Sequence, residues 1–185
     1  MRLNLVLLPN REFTQNIFNL RKQIIDTKLG NVDPRGNVLP HATILYFEED
    51  ITKEKMDKLS QFLNNLQLKQ PITLDIENIT NWEHRVVAVF NISPLVSLKE
   101  NIELIVSGAG LKFNTEYKKT YGDTIGDHMK LVRQVLPEKT NEVISIFQNQ
   151  LPKKVSFERI ALVNYDTEEK DIRWEMKLPE KKLLT

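Results

Sequence analysis

The chain has 185 residues, 41% hydrophobic and 28% charged, with a formal net charge of +1. That is the balance of a globular domain able to bury a sizeable core, and it excludes a chain that binds polyanions over its whole surface, so any anion site must be local. Cysteine is absent and only three histidines occur, His41, His84 and His128, which excludes disulfides and thiolate chemistry and leaves little for a multi-histidine metal cluster.

In chain order, Leu3 to Leu8 reads as a buried strand ended by Pro9, with Asn10 as a helix N-cap. Phe13, Ile17, Leu20 and Ile24 recur at helical spacing, which predicts an amphipathic helix from residue 11 to about 27. A Gly/Pro-containing loop (30–36) leads to Leu39-Pro40-His41-Ala42-Thr43-Ile44-Leu45-Tyr46-Phe47, a strand. Thr52 is the expected N-cap of a second helix through Met56, Leu59 and Leu63, with Ile51 stapled against Met56. Ile72, Leu74 and Ile76 alternate with polar residues as a half-buried strand. Val86 to Phe90 is a further buried strand, followed by Ser93 as N-cap, Pro94 at the first helical position, and a helix running to Gly108. Residues 110–127 are polar and irregular, and a second histidine strand begins at His128. Pro137 opens the next helix; Val155–Val163 and the alternating stretch through Ile172, Trp174, Met176 and Leu178 are the last strands.

Each half therefore reads strand, helix, loop, histidine strand, helix, strand. The two histidines lie 87 residues apart at matching places. Such a repeat implies one domain (1–185) of two lobes, about 1–80 and 81–185, related by a pseudo-two-fold axis that sets the histidine strands side by side.

Side chains alternate along a strand, so His41 and Thr43 face one way while Ala42, Ile44 and Tyr46 are expected to face the core. His128 and Lys130 repeat the spacing, with an ammonium in place of the hydroxyl. Two imidazoles across a cleft suit acid and base roles, because their unperturbed pKa is near neutral. Thr43 and Lys130 could hold phosphate oxygens and offset developing charge. Lys130 shares its strand face with His128 and is expected to lower the His128 pKa, favouring His128 as the base. Of Tyr46 and Phe47, one is expected in the core and the other in the groove. Lys118, Lys119 and Tyr121, in the long irregular stretch, are further candidate contacts. His84 reads as a surface or turn residue, and Trp82 as a packed side chain able to stack a base.

His41-Ala42-Thr43, set in Leu39 to Phe47, resembles the first HxT signature of the 2H phosphoesterase superfamily, which includes the 2′–5′ RNA ligase-like proteins and cyclic phosphodiesterases. His128-Met129-Lys130 resembles the second, departing from it at Lys130, where the family has Thr or Ser. The resemblance covers nearly the whole chain as an arrangement of elements. It implies an α+β bilobal fold, two antiparallel-rich sheets around a central groove with helices outside. It further implies metal-independent opening of 2′,3′-cyclic or related phosphodiesters, with His41 and His128 catalytic and Thr43 and Lys130 binding phosphate. The expected partner is a nucleotide, cyclic nucleotide or RNA end, with no cofactor and no metal. A non-catalytic module that captures the same ligands is the alternative. The apolar start before Pro9 is too short for a signal-peptide core and no later run could span a bilayer, so a cytoplasmic protein with no membrane partner is expected.

Overall fold

Seven strands and four helices follow the predicted order in the computed structural model, which describes residues 3–31, 38–47, 50–66, 71–83, 85–113, 127–164 and 172–179. Strand β1 (Leu3–Pro9) is buried along its whole length. Leu3, Leu5 and Leu7 join the main core, while Val6 and Leu8 form a smaller cluster with Ala161 on the other face. Helix α1 (Arg11–Asp26) starts where the Asn10 side chain accepts from the Phe13 N–H at 2.7 Å. Its buried stripe is Phe13, Ile17, Leu20 and Ile24. Next come β2 (Ala42–Tyr46), α2 (Lys53–Asn64), capped by the Thr52 hydroxyl, and β3 (Ile72–Trp82). The second half contributes β4 (Arg85–Phe90), α3 (Val96–Gly108), β5 (His128–Arg133), α4 (Thr140–Gln150), β6 (Lys154–Asn164) and β7 (Ile172–Lys177).

Three local details differ from the sequence reading. Strand β3 runs on to Trp82, which pairs with Arg85 across a tight hairpin. Glu83 adopts φ 46° there, as short hairpin connections require. Ser93 does not cap α3. It lies in a 3-10 turn (Ser93–Leu95) with no side-chain cap, and its N–H donates to Asn91 Oδ1 at 3.0 Å instead. Gly108 is the last residue of α3, and the left-handed turn falls at Gly110, φ 75°.

All strand pairs are antiparallel, and hydrogen bonding runs in a closed circuit β1–β2–β5–β4–β3–β6–β1, with β7 added to β6. Strand β1 lies between β2 and β6, and β4 lies between β5 and β3. Each half thus places its third strand against the first strand of the other half. The helices cover one face of the strands, and residues of both halves meet there in one core. Among the described residues, no helix is long and apolar enough to cross a membrane.

Candidate active site

One residue pair joins the two histidine strands. Ala42 of β2 is the partner of Met129 of β5, and both are fully buried on the core side. Their neighbours must face the opposite way. His41 and Thr43 flank Ala42, and His128 and Lys130 flank Met129. Antiparallel pairing therefore sets His41 towards Lys130 and Thr43 towards His128, with the histidines on a diagonal. Diagonal neighbours lie about 7–8 Å apart, with their Cβ atoms somewhat closer. Thr43 and His128 lie deep, 6% and 9% exposed, while His41 and Lys130 are half-buried.

Both strands are bent at the same place just beyond these residues. Val6 pairs with Thr43 and Leu5 with Leu45, which leaves Ile44 extra in β2. Val87 pairs with Lys130 and Val86 with Val132, which leaves Leu131 extra in β5. A bulge turns the strand and breaks its alternation. Ile44 and Leu45 are consequently both core, as are Leu131 and Val132. Past the bulge Tyr46 comes round to the face of Thr43 and is half-buried, whereas Phe47 is a core side chain, 6% exposed. The expectation that Tyr46 faces the core is corrected on this ground, and Phe47 is removed from the candidate contacts. Lys118, Lys119, Tyr121 and His84 lie outside the described residues.

Each histidine is held through Nδ1. The His41 Nδ1 lies 2.7 Å from the Leu39 carbonyl oxygen, which can only accept, so Nδ1 carries the proton and the neutral ring offers Nε2 as an acceptor. The His128 Nδ1 lies 2.8 Å from Asp127 Oδ1. That carboxylate fixes the ring with Nε2 outward and compensates its charge when it carries a second proton. The Trp82 ring covers the His128 ring at 4.6 Å between centroids, tilted by 50°.

The shift at His41 is one the sequence did not suggest. The His41 pKa is pushed down from 6.5 to about 4. Burial is the largest cause; the Leu39 hydrogen bond opposes it, and the charges of Lys130, Arg21 and His128 reinforce it. The histidine that Lys130 helps to keep neutral is His41. Asp127 and Arg21 escaped the sequence reading. Asp127 stands directly before His128, a visible signal, whereas nothing in the helical pattern marks Arg21. Among the described residues, no group of three or more His, Asp and Glu side chains is placed to hold a metal ion.

No protein-family model matches the chain, and no curated protein matches it in sequence. Solved structures do match in fold. E. coli LigT complexed with 3′-AMP superimposes with a TM-score of 0.58 at 13% identity, over 96% of each chain. A structure described as a phosphoesterase gives 0.59 at 14% identity, over 96% of this chain and 97% of that one. A Thermus thermophilus protein gives 0.59 at 15% identity, over 98% of this chain and 100% of that one. The chain thus has the α+β fold of LigT over nearly its full length.

Proposed function

We propose that this protein is a metal-independent phosphodiesterase that opens a 2′,3′-cyclic or related nucleotide phosphodiester, with His41 as base and His128 as acid. The observation that carries the reading is the clustering of His41, Thr43, His128 and Lys130 around the single Ala42–Met129 pair. Both rings are tethered through Nδ1, which leaves both Nε2 atoms for substrate. His41 Nε2 takes a proton from water while the water oxygen bonds to phosphorus. The ring P–O bond breaks, and the leaving oxygen takes the proton from His128 Nε2. Solvent exchange then returns both rings to their starting states. The Thr43 hydroxyl and Lys130 ammonium bind the non-bridging oxygens, and the ammonium repels a metal cation from the same place. A ring with a pKa of about 4 is neutral at physiological pH but a weak base. A phosphodiester anion beside Lys130 and Arg21 offsets their charge and raises that pKa, so substrate strengthens its own base. Structures of E. coli LigT hold 3′-AMP, ATP, phosphate and NADP+, which supports a nucleotide ligand here. Tyr46, on the Thr43 face, would meet the nucleoside portion.

The deciding experiment is turnover of 2′,3′-cyclic AMP in the presence of a strong chelator. His41→Ala and His128→Ala should each lower the rate by at least ~10²-fold, and the double variant should be little worse than either, because the pair acts as one unit. Multiplying losses would sink the pairing. Lys130→Met should cost ~10²–10³-fold, with partial recovery in Lys130→Thr. A second reading, capture of an RNA end or cyclic nucleotide without turnover, draws on the weak base and on Lys130 standing where the resemblance expects a hydroxyl. Tight binding of cyclic AMP with no product would establish it.

A further inference from the structure

The seam between the histidine strands is short for a covalent reason. Extending the Ala42–Met129 register backwards would set His41 opposite Lys130 and Pro40 opposite Leu131. Proline has no N–H to give a ladder, and β2 accordingly begins only at Ala42. The carbonyls of β5 on that side need another donor. Arg21 of α1 supplies it. Its Nε donates to the Leu131 carbonyl at 2.6 Å and Nη2 to the Lys130 carbonyl at 3.2 Å. Nη1 donates to the Val38 carbonyl, on the opposite side of the seam. Its guanidinium carbon also sits 5.7 Å from the centre of the Phe18 ring, one turn back on the same helix.

We propose that Arg21 is a positioning residue: its guanidinium clamps the segment that delivers His41 to the backbone of Lys130 and Leu131, and so sets the placement of one half-site against the other. The Leu39 carbonyl that orients the His41 ring follows directly on the clamped Val38. The two other carbonyls belong to Lys130, which flanks the site, and to the bulge residue Leu131. A planar fork with donors in fixed directions can span three carbonyls at once, which a lysine ammonium on a flexible stem cannot do in the same geometry. The start of the preceding loop is pinned just past the end of β5 as well, because Asn31 N–H donates to the Gln134 carbonyl at 3.0 Å. Gly30 allows that approach, since a Cβ there would meet the same carbonyl at 3.2 Å.

The role in catalysis rests on the phosphodiesterase reading, but the clamp has a readout that does not. The charged groups facing His41 are Lys130 and His128 from β5 and Arg21 from α1. Long-range 1H–15N NMR of the histidine rings, recorded against pH in wild type, Arg21→Lys and Arg21→Gln, reads tautomer and titration directly. Wild-type His41 should show one tautomer with the proton on Nδ1. Arg21→Gln should mix the tautomers and raise the titration midpoint, because geometry and a repelling charge are both lost. Arg21→Lys should keep the midpoint near wild type and still mix the tautomers. On 2′,3′-cyclic AMP both variants should lose kcat by ~10²-fold with KM little changed, the cost of misplacing a catalytic group by about 1 Å. Wild-type His41 signals in both variants would overturn the proposal, as would a loss of activity that only follows a lowered Tm. If wild type fails to turn over cyclic AMP, the phosphodiesterase reading falls while the ring signals still decide the clamp.

Discussion

His41 and His128 have the same side chain, and their neighbours give them different surroundings. A backbone carbonyl holds one ring, a carboxylate the other, and burial with the nearby Lys130 and Arg21 charges keeps His41 neutral. This has a consequence for stability. The unfolded chain takes up a proton on His41 near pH 6.5, and the folded chain only near 4, so between these values the unfolded state binds more protons. Stability present above pH 6.5 should decline as pH falls towards 4, by up to about 3 kcal/mol from this group. Urea midpoints measured across that window should show the decline, and His41→Gln should flatten it. If His41 is the base, as proposed, the same ring should set the acid limb of the pH–rate profile. For kcat/KM, which reports the free protein, the limb should lie near 4; for kcat it should lie higher, because bound phosphate offsets the repelling charges. Equal limbs would mean that substrate leaves the base as it found it. Asp127→Asn keeps an oxygen near His128 but removes the compensating charge, and should lower kcat by at least ~10-fold, as expected for an impaired general acid.

Helices were legible in the sequence because their signals are local. Asn10 is the clearest case: the cap was read from one polar residue before an apolar stripe, and its 2.7 Å bond to Phe13 N is present. Asn10→Ala should cost about 1 kcal/mol, measurable as a lowered urea midpoint. The histidine strands and their repeat were legible for the same reason, since period two and a recurring spacing lie within a few residues. The bulges were not. Ile44 and Leu131 look like ordinary core residues in an alternating run, and only the partner strand reveals that one position too many has been used. Strict alternation carried past the bulge puts Tyr46 in the core, whereas the structure puts Phe47 there; that one of the two is core and the other is not was legible. Arg21 was hidden for a related reason. Its partners are carbonyls 17 and about 110 residues away, and backbone carbonyls leave no trace in the choice of side chains.

At the scale of the molecule, strand β6 ties the parts together. Its first half pairs with β3, its second half with β7, and β1 lies along its other edge. Phe157 sits at the crossing, partner to both Ile72 and Pro9, fully buried and edge-on to Phe90 at 5.8 Å. Phe157→Ala should cost about 3–5 kcal/mol. Because both halves share one core, the loss should appear as one lowered transition by circular dichroism and by tryptophan fluorescence alike; separated transitions would mean that the halves melt independently. The trading of third strands between halves also makes the chain divisible in an unusual sense. Cut between residues 83 and 84, it yields two polypeptides whose outer strands each lack a neighbour that the other piece carries. Neither fragment should fold alone, and an equimolar mixture refolded from denaturant should reconstitute the sheet as a non-covalent heterodimer, with His41 contributed by one piece and His128 by the other.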